Sequence, residues 1–214
     1  SLSNHAGQTR LPDLTPVVDS FLSDMAHVLQ KSDNDSQTLA DSVRRLLEVP
    51  AGTLQSRLRP MVEDIAARLN KKVNLVVEGA STTAHRQTVD SLYYALLHMI
   101  RNSLDHGIES EVERQNSGKN PIGTVRLSFR REGEQLKVVL SDDGRGIDPE
   151  VVARHALDKG LVTKEEVESM SQDEKVHLIF RAGVSTTQKV QEISGRGVGM
   201  DVVASTLTKL GGDI

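Results

Sequence analysis

The 214-residue sequence contains no cysteine, which excludes disulfide bonds, cysteine metal sites and thiol nucleophiles. It has no tryptophan, two tyrosines and three phenylalanines, too few aromatic rings for a surface that stacks on nucleic-acid bases. The formal charge of −4, with scattered lysines and arginines, also argues against a nucleic-acid partner. No apolar run is long enough to span a bilayer and no signal peptide is recognisable. The sequence therefore predicts a cytoplasmic location without direct membrane insertion.

The pattern of apolar residues predicts alternating helices and strands. Residues 1–16 have no periodicity and are predicted to form a linker. The elements that follow are predicted as helices over 17–30, 38–49 and 54–70, a strand over 73–79, a helix over 84–106, a hairpin over 124–144 and a helix over 197–210. Pro60 must bend the third helix or start a new one. The polar section 147–194 is predicted to hold short helices. This order predicts an α/β sandwich with an antiparallel or mixed sheet.

The sequence HMIRNSLDH places His98, Asn102, Asp105 and His106 on one polar helical face. An asparagine oxygen is a hard ligand suited to Mg²⁺, while histidine and arginine side chains donate to phosphate oxygens. Taken by itself, such a face is more often simply solvated.

Two glycine clusters follow. In SDDGRGID, an Asp at a strand end can accept a hydrogen bond from an exocyclic amine, although DDG and GRG are also ordinary turn sequences. In GRGVGMDVV, three alternate glycines lead into a helix whose N-terminal amides can hold phosphate. A dinucleotide-binding fold is disfavoured, because the spacing is GxGxG and no strand precedes it.

In combination, these stretches resemble the GHKL ATPases. HMIRNSLDHGIE is similar to the family's N box, DDGRGID to its first glycine box and GRGVGMDVV to its second. The sequences of all three motifs are most similar to those of the CheA-type chemotaxis histidine kinases. The resemblance covers roughly residues 55–214. It implies a two-layer α/β sandwich of the Bergerat type with a mixed, mostly antiparallel sheet and an N-terminal helical extension. Residues 51–214 would be the ATP-binding catalytic domain, which we expect to continue beyond Ile214. Residues 1–50 would be a linker and a helical segment, interpreted as part of a dimerisation hairpin.

The resemblance also implies roles for individual residues. Asn102 would ligate Mg²⁺, His98 and His106 would lie near the terminal phosphates, and Asp142 would bind the adenine amino group. Further nucleotide contacts are implied for Arg101, Asp105, Gly144, Gly146, Ile147, Ser185, Thr186, Gly195, Arg196, Gly197, Val198, Gly199 and Met200. Residues 183–194 would form the hinge of a lid. The family's lid commonly has Phe in GFST, whereas this chain has Val184 at that place.

Two classes of function fit these motifs. One is a histidine kinase domain that uses ATP and Mg²⁺ to phosphorylate a histidine on a separate phosphotransfer domain, with a response regulator downstream. The other is a degenerate nucleotide-binding or scaffolding module. The presence of Asn102, Asp142 and the motif glycines favours the kinase. Hydrolysis is disfavoured, because hydrolytic relatives normally carry Glu where this chain has His98. The resemblance further implies homodimerisation and contact with a receptor or coupling protein through regions outside this sequence.

Overall fold

The computed structural model describes residues 15–29, 43, 46–184 and 200–214. The chain divides into two compact units, Ser1–Glu48 and Val49–Ile214. In the first unit, helix α1 spans Thr15–Leu29, which confirms the helix predicted over 17–30. None of the described helices is both long and apolar enough to cross a membrane.

From Glu48 onward, the described residues form a mixture of helices and strands. In chain order they are β1 (Glu48–Pro50), α2 (Thr53–Arg68), β2 (Val73–Glu78), β3 (Thr83–His85), α3 (Arg86–Asn102), a π-helical turn (Ser103–Gly107), α4 (Glu111–Asn116), β4 (Gly123–Glu132), β5 (Gln135–Asp142), α5 (Pro149–Asp158), α6 (Lys164–Ser169), α7 (Gln172–His177), a 3₁₀ turn (Leu178–Phe180) and α8 (Asp201–Lys209).

The main sheet has three strands in the order β2-β4-β5. Strand β2 runs parallel to β4, with Leu75 opposite Val125. Strand β5 runs antiparallel to β4, with Leu127 opposite Leu140. Because it contains one parallel and one antiparallel pair, the sheet is mixed, as predicted. Strands β1 and β3 form a separate two-stranded sheet.

One face of the main sheet packs against helices. Along β4, Val125, Leu127 and Phe129 are buried, while Arg126 is exposed and Ser128 is half-buried between them. This period of two is typical of a sheet with one covered face. The buried side chains join one core with apolar residues of α2 and α3, namely Leu54, Leu58, Val62, Ile65, Val89, Leu92, Leu96 and Ile100. The two-layer α/β sandwich is therefore confirmed.

Several predicted boundaries need correction. The helix predicted over 38–49 ends in strand β1, because the residue before Pro50 favours extended geometry; most of that segment lies outside the described residues. Pro60 neither ends α2 nor starts a new helix, since α2 continues through it. The helix predicted over 84–106 begins at Arg86, where the His85 ring caps it by accepting a hydrogen bond from the Gln87 amide at 3.3 Å.

Candidate functional site

The C-terminal end of α3 brings two predicted site residues together. The apolar side of α3 is buried, so its polar side faces away from the core. The Asn102 side-chain nitrogen Nδ2 lies 3.5 Å from His98 Nε2 and donates to Met200 Sδ at 2.9 Å. Met200 Sδ accepts one amide hydrogen, and His98 Nε2 accepts the other when the imidazole proton lies on Nδ1. Among the described residues, the other amide atom, Oδ1, has no hydrogen-bond partner and remains available to a ligand.

His98 lies in an environment that favours its neutral form. Burial lowers the pKa of His98, the Arg101 charge lowers it further, and the Asp201 carboxylate partly opposes both effects. A neutral imidazole carries one proton. When Nε2 accepts the hydrogen bond from Asn102, that proton lies on Nδ1. His98 can then offer a neutral N–H donor to a ligand from this second nitrogen.

The helix changes type immediately after Asn102. Residues Ser103–Gly107 form a π-helical turn, closed by a hydrogen bond from the Ile108 amide to the Ser103 carbonyl at 2.7 Å. Isolated π turns often occur at functional sites. Lys71 Nζ anchors this turn by donating to the Leu104 carbonyl oxygen at 2.5 Å.

The π turn corrects the prediction of one continuous α-helix through residues 98–106. The α-helical register that would align four polar side chains ends at Asn102. His98 and Asn102 are in contact, whereas Asp105 and His106 are exposed on the π turn. The structure therefore brings the first two predicted residues together, and it places the other two on the π turn that follows.

The two consecutive aspartates after β5 have different partners. Asp142 Oδ1 accepts a hydrogen bond from the Gly144 amide at 3.0 Å. Its second oxygen, Oδ2, accepts no hydrogen bond from any described residue. Asp143 Oδ1 instead accepts from the Thr124 amide at 2.8 Å, and its Oδ2 accepts from Arg114 Nη2 at 2.8 Å. Both carboxylate oxygens of Asp143 therefore have partners within the protein, whereas Asp142 keeps one oxygen that can bind a ligand.

The end of the π turn lies directly against the loop that carries Asp142. The Gly107 carbonyl accepts a hydrogen bond from the Arg145 amide at 3.0 Å. A Cβ atom added at Gly144 would overlap that carbonyl, and one added at Gly107 would lie 3.1 Å from Asp142 Oδ1. This close approach to backbone explains why position 144 is glycine. It places the end of the segment that carries His98 and Asn102 against the loop that carries Asp142.

The remaining predicted site residues fall into three groups. Gly146 has a φ of +76°, a left-handed conformation that favours glycine, and Ile147 is exposed. Arg101 is half-buried one residue before Asn102. The predicted residues Ser185, Thr186, Gly195, Arg196, Gly197, Val198 and Gly199, and residues 185–194 of the predicted lid hinge, lie outside the described residues.

Sequence reasoning missed helix α4 and a buried arginine on it. The helix begins at a capping box in which Ser110 and Glu113 bond each other's backbone amides, a signal visible as Ser-x-x-Glu in the sequence. Arg114 is 1% exposed and bonds both Glu109 and Asp143. No sequence signal marks Arg114, because its two partners lie on different segments.

The described residues contain no group of three or more His, Asp or Glu side chains that could hold a metal ion by themselves. Mg²⁺ commonly takes one or two protein oxygens and completes its shell with phosphate oxygens and water. The free Oδ1 of Asn102 fits that coordination, in which the nucleotide supplies the other ligands.

Comparison with known proteins identifies the family. The family described as histidine kinase-, DNA gyrase B-, and HSP90-like ATPase matches residues 87–214. The chain therefore belongs to this ATPase family and carries an ATP-binding domain of the CheA type, as the motifs predicted.

Three curated relatives show the extent of the similarity. The chemotaxis protein CheA of Borreliella burgdorferi is 36% identical over 100% of this chain and 25% of its own length. The sensor histidine kinase CheAY of Helicobacter pylori is 37% identical over 92% of this chain and 24% of its own. The gliding motility regulatory protein of Myxococcus xanthus is 40% identical over 82% and 23%. The chain thus spans about a quarter of the length of these relatives.

Proposed function

We propose that the chain is the ATP-binding catalytic domain of a CheA-like histidine kinase. It transfers the γ-phosphoryl group of ATP to a histidine nitrogen on a separate phosphotransfer domain and releases ADP. The observation that carries this proposal is the contact between Gly107 and Gly144, which joins a phosphate-facing helix end to an adenine-facing loop. A response regulator then receives the phosphoryl group. The reaction requires positioning and charge neutralisation more than covalent catalysis, and the site supplies both.

The adenine end of the proposed site depends on Asp142. Its Oδ2 is an unused acceptor, while Oδ1 is held by the Gly144 amide. An ionised carboxylate accepts hydrogen bonds and donates none, so it selects the amino group of adenine over a carbonyl oxygen. Gly144 and Gly146 shape the loop beside the base, and Ile147 supplies an exposed apolar side chain against which the ring can pack.

The phosphate end depends on Asn102 and His98. We propose that Asn102 Oδ1 holds Mg²⁺, because the Asn102 amide nitrogen already points to His98 and Met200. When bound, the ion neutralises phosphate charge. The Nδ1–H of neutral His98 donates to the terminal phosphate. Because no carboxylate occupies the His98 position, the site lacks the glutamate that activates water in hydrolytic relatives.

Other residues complete the proposal. His106, Arg101 and Asp105 lie next to the Asn102 end of the helix in sequence and contribute to the phosphate region. Glycines 195, 197 and 199 cradle the phosphates, with contacts from Arg196, Val198, Met200, Ser185 and Thr186. Residues 1–50 serve as a linker and part of a dimerisation hairpin, and 51–214 as the catalytic domain. We also propose a cytoplasmic setting, a homodimeric parent protein, and a receptor or coupling protein that contacts regions outside this sequence.

A paired assay tests the proposal. The chain is incubated with Mg²⁺, ATP labelled on its γ-phosphate, and the isolated phosphotransfer domain of a CheA protein. We expect label on the acceptor histidine and slow release of free phosphate. A phosphotransfer domain with its acceptor histidine changed to glutamine is the control and should stay unlabelled. Rapid phosphate release without phosphohistidine would favour a hydrolase. Binding of ATP with neither product would favour a scaffolding module.

A further inference from the structure

Arg114 uses all of its donor nitrogens inside the protein. Nε donates to the Asn120 carbonyl at 2.6 Å, and Nη1 donates to Glu109 Oε2 at 3.0 Å and to the Asp143 carbonyl at 3.2 Å. Nη2 donates to Asp143 Oδ2 at 2.8 Å. The side chain is only 1% exposed. It therefore binds both the backbone and the side chain of the residue that follows Asp142.

Lys119 approaches the same loop from a neighbouring segment. Its ammonium group donates to Glu109 Oε1 at 2.6 Å, to the Asp143 carbonyl at 3.2 Å and to the Gly144 carbonyl at 3.0 Å. An ammonium group has three donors, so these three acceptors use its full capacity. Two consecutive carbonyl groups of the loop are thus directed toward one lysine.

The charges of this cluster balance. Arg114 and Lys119 are matched by the carboxylates of Glu109 and Asp143, so the cluster carries no excess charge that would attract a ligand. Burying such a network costs desolvation, and buried ion pairs are weak sources of stability compared with apolar packing. The cluster does fix the conformation of the loop, because a guanidinium group forms good hydrogen bonds only in a narrow range of geometries.

The fixed loop controls the orientation of Asp142. Lys119 holds the carbonyl groups of Asp143 and Gly144, and the Gly144 amide donates to Asp142 Oδ1 at 3.0 Å. Lys119 therefore fixes the orientation of the Asp143–Gly144 peptide, and this peptide fixes the orientation of the Asp142 carboxylate. Turning this peptide would remove the hydrogen bond that holds Oδ1, the bond that leaves Oδ2 as the oxygen without a partner among the described residues.

We propose that Lys119 and Arg114 are positioning residues that set the base selectivity of the site by orienting Asp142 through the Gly144 amide. This inference rests on the proposed function. Neither side chain contacts the nucleotide. Their effect is on the choice between adenine, which presents an amino group to Asp142, and a base that presents a carbonyl oxygen there.

Lys119→Met tests the proposal, because it keeps most of the side-chain hydrocarbon and removes the three donors. Dissociation constants for ATP and inosine triphosphate are measured by calorimetry with Mg²⁺. Inosine carries an oxygen where adenine carries its amino group. We expect the preference of the wild type for ATP to fall by about tenfold in the variant, the size of one lost charge-assisted hydrogen bond, with inosine triphosphate binding little changed. Lys72→Met, which removes an exposed lysine paired with Glu111, is the matched control and should keep the preference.

Each outcome decides a different question. An equal loss of affinity for both nucleotides would make Lys119 merely structural and overturn the inference, as would an unchanged preference in a folded variant. If Lys119→Met does not fold by circular dichroism, Lys119→Gln gives the same comparison with one neutral donor retained. Failure of the wild type to bind ATP would overturn the proposed function itself.

Discussion

The Asp142→Asn variant isolates the proposed contact with adenine. The new amide keeps an oxygen that can accept from Gly144, so the loop hydrogen bond at 3.0 Å is preserved. The other atom, Oδ2 in the wild type, changes from an acceptor to an NH₂ donor, which cannot accept the hydrogen bond proposed from the amino group of adenine. Loss of a hydrogen bond to a charged acceptor costs about 1.5–3 kcal/mol. ATP affinity should therefore fall by about 10- to 150-fold.

The same change should alter the choice of base. The amide NH₂ can donate to the carbonyl oxygen of inosine, so the ratio of inosine triphosphate affinity to ATP affinity should rise. Calorimetry on both nucleotides measures both effects. Asp64→Asn removes an exposed charge on α2 that pairs with Arg68 at the surface, and it serves as the control with unchanged binding. An Asp142→Asn variant that binds ATP as tightly as the wild type would refute the assignment.

Four further changes test other parts of the account. Asn102→Asp keeps an oxygen but removes the N–H groups that orient it, and should lower phosphotransfer by about 10- to 100-fold while ATP binding by calorimetry changes less; full transfer would exclude Asn102 as the ligand. His98→Glu should retain ATP binding but release more free phosphate and less phosphohistidine in the paired assay, and an unaltered product ratio would argue against its role. Leu127→Ala should lower the free energy of unfolding by about 2–5 kcal/mol in urea titrations, because Leu127 is fully buried, whereas Val139→Ala on the exposed face should cost far less; equal losses would contradict the two-layer packing. Hydrogen bonds from lysine and arginine hold the pKa of Glu109 below its ordinary 4.5 against the effect of burial, so its stabilising contribution is present above pH 4.5 and is lost as the pH falls through the lowered pKa; Glu109→Gln should flatten that part of the acid titration, and an unchanged slope would contradict it.

The sequence predicted most of the elements that have a clear hydrophobic period. Strand β2 and the β4–β5 hairpin follow from alternation, and the turn at Gly133 has the positive φ that glycine permits. Alternation of apolar and polar residues indicates that one face of a strand is buried. This pattern lies within each segment, so it can be read from the sequence. Strand β3 was missed because its three residues form a strand only by pairing with β1.

Features that depend on contacts between distant segments could not be predicted in the same way. The π turn after Asn102 has no local period of its own and is anchored by Lys71, which lies 33 residues earlier than the Leu104 carbonyl it contacts. Asp142 and Asp143 are adjacent and chemically identical in the sequence. They differ in their partners: Asp142 accepts from the Gly144 amide alone among the described residues, whereas Asp143 accepts from the Thr124 amide and from Arg114.

Contacts between polar side chains were predicted where both residues lie in one short motif. They were missed where the fold brings together residues that are far apart in the sequence. His98 and Asn102 are one helical turn apart, so their contact follows from helix geometry. Arg114 reaches Asp143 across 29 residues, and neither residue lies in a recognisable pattern with the other.

A crystal structure of the chain with Mg²⁺ and a non-hydrolysable ATP analogue would show directly whether Asp142 and Asn102 bind the nucleotide. We expect the adenine amino nitrogen within hydrogen-bonding distance of the Asp142 carboxylate, and Mg²⁺ at about 2.1 Å from Asn102 Oδ1. We also expect the Gly107–Gly144 contact to lie beneath the nucleotide. A nucleotide bound away from both Asp142 and Asn102 would contradict the account.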